Sequence, residues 1–155
     1  MDGNLHTTYI YGWLKFGACQ IQIKILITTK NLHLTISAIT LTIVSLAYGL
    51  SPNNILPKFF DFKVETIDLT HTFRATMGLY LGMAGLCVVG VFKSRQWRTA
   101  TISNVFFMIG LASGRTISLV IDGIPSIYFL GGLVLELLLG LWGIKNLNKY
   151  QSTLN

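Results

Sequence analysis

Four charged residues lie in or at the edges of long apolar stretches: Arg74, Arg115, Asp122 and Glu136. An ionisable group inside an apolar span costs at least ~2.5 to 3.5 kcal/mol on insertion scales, so it normally has a partner and a purpose. Two arginines and two acids can neutralise one another, hold a polar ligand between them, or do both. Arg115 and Asp122 are seven positions apart, two helical turns along nearly one face. Ser118 stands between them and adds a hydroxyl, and His71 sits three positions before Arg74. Arg74, Arg115, Ser118, Asp122, Glu136 and His71 are therefore the candidate ligand-binding or ion-pair network. One reading is a structural network that fixes helix order and rotation. The other is an outward-facing polar pocket for a small ligand or a lipid headgroup.

Catalytic chemistry finds less support. Ser113 and Ser118 have no histidine on their own helix, and serines in such stretches usually bond their own backbone. Phosphate loops, zinc spacings and dinucleotide fingerprints are missing. Cys19 and Cys87 are far apart and form no ligand-like cluster. A haem between helices would need two histidines at matching depth, whereas His33 and His71 fall at opposite ends of adjacent apolar segments. His71 is read as hydrogen-bonding near Asp68 and Arg74, with a single axial ligand to a pigment or metal as the alternative. No enzyme activity, metal or cofactor is expected.

These residues must be positioned by helices that cross a bilayer. Of 155 residues, 52% are hydrophobic and only 12% charged, about half the charged share of an ordinary soluble domain. A span needs ~20 mostly apolar residues. Leu34–Leu50, Phe73–Phe92, Thr101–Ile121 and Ile127–Ile144 meet or approach that length, with short connections that leave no room for a soluble domain. The expected fold is all-α, an integral membrane four-helix bundle. Residues 33–147 form the membrane domain and 148–155 a short tail. Residues 1–32 read as an N-terminal extension or interfacial segment, because Lys15, Gln20, Gln22 and Lys24 interrupt its apolar run. Within it, Gln20 to Ile25 alternates weakly like a strand, and Tyr9, Tyr11, Trp13 and Phe16 cluster. Ser45-Leu46-Ala47 resembles a cleavage site, but losing the first span would put the basic segments on opposite sides. Ser51–Thr70 reads as a turn followed by a loop or short surface helix. Asp122-Gly123-Ile124-Pro125 stops the third span.

The net charge of +6 does not mark a nucleic-acid surface. Lys15, Lys24, Lys30, Lys93, Arg95, Arg98, Lys145 and Lys149 all fall at one end of a four-span arrangement, which places both termini in the cytoplasm. At about 100° per residue, His71, Arg74, Gly78, Gly82 and Gly85 fall within about 80° of each other. Gly132, Glu136, Gly140 and Gly143 do likewise, and Gly110, Gly114, Arg115, Ser118 and Asp122 share about 140°. Small residues at such spacing let helices approach closely. Gly78, Gly82, Gly85, Gly110, Gly114, Gly132 and Gly140 are accordingly expected to be packing positions on the bundle's interior faces.

Three blocks carry a family resemblance. The run Asp68-Leu-Thr-His-Thr-Phe-Arg-Ala-Thr-Met-Gly-Leu-Tyr-Leu-Gly, the run Phe107-Met-Ile-Gly-Leu-Ala-Ser-Gly-Arg-Thr-Ile-Ser-Leu, and Asp122-Gly-Ile-Pro-Ser followed by Leu135-Glu-Leu resemble a bacterial membrane family catalogued as domain of unknown function 4345. The likeness covers roughly His33 to Leu147. It implies four spanning helices, a bacterial inner or internal membrane, and motif roles for Arg74, Gly78, Arg115, Ser118, Asp122, Pro125 and Glu136. It implies no activity. The expected function is a non-catalytic accessory or stabilising subunit, touching lipid and packing against other subunits of a larger energy-transducing complex, respiratory or photosynthetic. The alternative is a small-molecule or lipid binding or transport protein using the charged residues.

Overall fold

A computed structural model describes residues 29–151, and among them every regular element is helical. Helix α1 spans Leu32–Gly49, the short α2 Pro52–Phe59, α3 Ile67–Phe92, α4 Trp97–Ile121 and α5 Ile127–Gln151, with one 3-10 turn at Ser94–Gln96. Four of these, α1, α3, α4 and α5, are long and apolar enough to cross a membrane. The molecule is an integral membrane helical bundle. The alternation at Gln20 to Ile25 and the aromatic cluster from Tyr9 to Phe16 lie outside the described residues.

Local chemistry sets the helix ends. Pro52 opens α2, where its missing N–H costs nothing, behind Ser51. Thr66 caps α3 by accepting from the Leu69 N–H at 3.1 Å, and Asp68 in the first turn suits the positive helix end. Helix α4 closes with the Asp122 N–H on the Ser118 carbonyl at 2.7 Å. Gly123 follows at φ 98°, the left-handed conformation that ends helices and that glycine adopts without strain. Pro125 then prevents continuation.

Helix α1 packs chiefly on α3 and α4 chiefly on α5, with α3 joining α4; α1 meets α5 much more lightly. Two hairpins therefore meet chiefly through α3 and α4, with a looser α1–α5 seam beside that contact. The core between them contains Leu34, Leu41, Tyr80, Cys87, Trp97, Met108 and Leu139. Each span reads as one row at helical spacing. On α3 the buried row is Tyr80, Ala84, Cys87 and Val91; on α4 it is Trp97, Thr101, Asn104, Met108 and Ala112.

Those rows correct the glycine expectation. Gly78, Gly82 and Gly85 lie roughly 150° from the α3 buried row at about 100° per residue. They are exposed, as are Gly110 and Gly114, and a Cβ added at any of the five would meet nothing within 4 Å. Among the described residues no neighbouring helix closes on them. Aromatic, thiol and amide side chains fill these interior faces, so the small residues were a misleading guide. On α5 the expectation and the interior coincide: Gly140 faces Ile109, Gly143 faces Val105, and Gly132 faces the Arg115 guanidinium.

Candidate functional site

Arg115 continues the buried row of α4, seven positions beyond Met108, and reaches across to α5. Its Nε–H donates to Glu136 Oε1 at 3.0 Å, with side-chain exposures of 20% and 10%. The pair is mostly buried, and among the described residues Glu136 Oε2 has no hydrogen-bond partner. Gly132, one turn before Glu136, gives the guanidinium room: a Cβ there would stand 3.7 Å from both Nη atoms. Phe129 lies 5.2 Å below the guanidinium carbon and offers its π face. Tyr48 of α1 and Tyr80 of α3 line the same cavity as the pair. Four helices thus converge on one ion pair.

Beside that pair the α1–α5 seam widens into a cavity of about 350 Å³. Its walls are Thr40, Leu41, Val44 and Ala47 of α1, Met108 and Leu111 of α4, and Leu135 and Leu139 of α5, with Arg115 and Glu136 as the charged members. Helix α2 covers one end. Leu56 is buried there, and Phe60 stands 4.5 Å from Phe129 and 6.3 Å from Tyr48, ring centre to ring centre. Tyr48 makes an edge contact with Tyr80 at 5.9 Å. The cavity is an apolar chamber with an aromatic rim and one internal ion pair. A second, shallower groove of about 490 Å³ runs between α4 and α5 on the outer face, past Gly110, Gly114, Ser118 and Phe129.

The structure does not assemble all the sequence candidates. Arg115 and Glu136 meet. Asp122 instead accepts a hydrogen bond from the Ser118 hydroxyl at 2.7 Å on the exposed end of α4. Arg74 and His71 are exposed near the start of α3, and neither joins the buried pair. The reason is rotational: both lie on the α3 face turned away from Tyr80 and Cys87. Among the described residues no hydrogen bond joins His71 to Asp68 or Arg74; the Thr72 hydroxyl donates to the Asp68 backbone carbonyl at 2.9 Å. Among the described residues, no three His, Cys, Asp or Glu side chains converge as a metal ligand set.

A family model described as Domain of unknown function (DUF4345) matches residues 29–145. The chain belongs to this family. The DUF4345 match takes in Arg115, Glu136 and nearly the whole cavity-forming bundle, and the family's description states no activity. No curated protein and no solved structure matches the chain.

The DUF4345 bundle also holds polar groups that charge-based reading passes over. Asn104 Nδ2 donates to Ser37 Oγ at 3.0 Å, and Cys87 Sγ contacts Asn104 Oδ1 at 3.6 Å, so one amide links α1, α3 and α4. Asn146 Nδ2 meets His33 Nδ1 at 3.0 Å and ties α5 to α1. The His33 ring is wholly buried between Trp97 and Trp142, and among the described residues its Nε2 has no hydrogen-bond partner. A signal existed: Trp97, Thr101, Asn104, Met108, Ala112 and Arg115 fall within about 80° on one helix, and polar residues along a span mark its interior face.

Proposed function

We propose that this chain is a bacterial inner-membrane protein that binds a lipid-soluble small molecule in the cavity between α1 and α5, without catalysing its conversion. The observation that carries the reading is the half-open apolar cavity with one ion pair on its wall. Ligand sites are typically concave, mainly apolar, and furnished with a few orienting polar groups. A purely structural ion pair has no need of a chamber beside it.

Orientation follows from charge. Lys30, Lys93, Arg95, Arg98, Lys145 and Lys149 gather at the Trp97 end of the bundle, while at the α2 end Lys58 and Lys63 are offset by Asp61, Glu65, Asp68 and Asp122. Basic residues favour the cytoplasmic side, so both termini face the cytoplasm and the ion pair lies in the opposite half.

The test is extraction of the purified protein with organic solvent, beside an Ala47→Phe variant that fills the chamber. The wild type should carry a lipid-soluble compound that the variant lacks. Equal amounts on both proteins would remove the cavity from consideration.

The accessory-subunit reading rests on a different observation. Gly78, Gly82, Gly85, Gly110 and Gly114 present bare backbone away from the bundle, where another membrane helix could approach closely. Cross-linking from a cysteine at Gly82 in native membranes would give a defined heteromeric product under this reading, and only the monomer band without it.

A further inference from the structure

Resting on the cavity reading above, we infer the chemical class of the guest: an amphiphile with a hydrocarbon body and a neutral acceptor head, an ester, ketone or quinone carbonyl, presented to the Nη edge of Arg115. The polarity of recognition is set by which half of the ion pair stays open. Glu136 Oε1 is engaged by Arg115, and Oε2 is shut away from any probe the size of water. Glu136 is therefore the more recessed member of the pair, 10% exposed against 20% for Arg115, and offers a donor head group the lesser access.

The guanidinium is in the opposite situation. It carries five N–H donors, of which Nε spends one on Glu136. The phenol oxygens of Tyr48 and Tyr80 can take at most one each, which leaves at least two. Arg115 lines both the chamber and the outer groove, and its Nη end lies beside Gly132, which lines the chamber and not the groove. The unspent donors are thus within reach of the space the guest would fill.

Charge decides between a neutral acceptor and an anion. Arg115 is already balanced by Glu136, about nine residues or roughly 14 Å in from the start of α5 at 1.5 Å per residue. A carboxylate or phosphate would leave a net negative charge at that depth, which a low-dielectric site opposes. A carbonyl accepts a charge-assisted hydrogen bond and adds no charge.

The experiment compares methyl palmitate, palmitate, hexadecylamine and hexadecane as ligands of delipidated full-length protein, by equilibrium binding of radiolabelled compounds in detergent. Methyl palmitate should bind about tenfold or more tightly than hexadecane, as one hydrogen bond to a charged donor allows, and more tightly than either ion. The double change Arg115→Met with Glu136→Met should keep hexadecane binding and lose the ester preference. A preference for palmitate or hexadecylamine overturns the inference, as does an ester preference that survives the double change. If that variant does not fold, infrared spectroscopy of isotope-labelled carbonyl on the unaltered protein decides: a band shifted to lower frequency upholds the inference, and an unshifted one overturns it. Failure of all four compounds to bind, hexadecane included, would overturn the cavity reading itself. Repeating the ester measurement in bilayers of ether-linked and ester-linked lipid identifies the source. Stronger binding in ether lipid makes the native guest a bilayer ester, and equal binding makes it a free amphiphile; both uphold the class.

Discussion

His33 of α1 and Asn146 of α5 meet at 3.0 Å, closing by one buried polar contact the seam that opens into a chamber beside Arg115 and Glu136. The two helices touch little elsewhere, so this contact holds a disproportionate share of their mutual registry. Changing either residue to alanine should loosen the bundle. A double-mutant cycle on unfolding in bicelles should give a coupling of ~0.6 kcal/mol, with ~1.7 as the upper end for such contacts in membranes. Zero coupling would make the contact incidental.

The ion pair predicts an asymmetry. Removing one partner of a buried pair typically costs ~3 to 5 kcal/mol, while removing both can approach neutrality. Glu136→Gln should therefore depress folded yield far more than Asp61→Asn on the exposed loop, with monodisperse recovery by size exclusion as the measure. Arg115→Met should restore much of the Glu136→Met loss. Arg74→Met should restore none, because Arg74 is exposed and apart from the pair.

Glycine positions divide into two groups that substitution can separate. Gly140→Leu would drive bulk into Ile109 and Met108, and overpacking of this kind typically costs ~1 to 3 kcal/mol. Gly78→Leu, Gly82→Leu and Gly114→Leu add side chains to open space, so thermal stability of the isolated protein should barely move. Losses as large at Gly82 as at Gly140 would mean that the interior face of α3 is misassigned.

Topology is checked by cysteine labelling in a background lacking Cys19 and Cys87. Single cysteines at Ser94 and Ser126 should react from opposite sides of the membrane, Ser94 from the cytoplasm. Reaction of both from one side would dismiss the four-span arrangement.

The spans were legible because bilayer thickness imposes a length that composition alone reveals, and α3 extends its reading only by starting at Ile67 rather than Phe73. The turn at Asp122 to Pro125 was legible because glycine and proline constrain the backbone directly. Rotation about each helix axis was harder. In water, hydrophobicity shows which face is buried; in lipid both faces are apolar, and that contrast disappears. Glycine marks the interior on α5, where Gly132 and Gly140 face partners. It fails on α3 and α4, where Gly82 and Gly114 face outward. The polar row through Asn104 to Arg115, which the glycine and charge reading passes over, is the better marker of the rotation of α4, since an amide or guanidinium has far more to lose in hydrocarbon than a glycine has. Arg74 misled because its place near a helix end allows it to reach water.

The lightly joined seam has a consequence for how the chain reaches its final form. Helices α1 with α3 and α4 with α5 are each hairpins of neighbouring segments, whereas His33 and Asn146 are 113 positions apart. Contacts so distant in sequence carry the larger loop-closure cost, which makes docking of the two hairpins the natural last step. The chamber has no walls until that step is complete. A molecule that binds only there binds only the docked state and raises its population by mass action, by ~2.7 kcal/mol at a hundred times its dissociation constant. A guest in this protein would thus act as a late assembly factor as well as a cargo, and its abundance in the bilayer would set how much of the chain is fully folded.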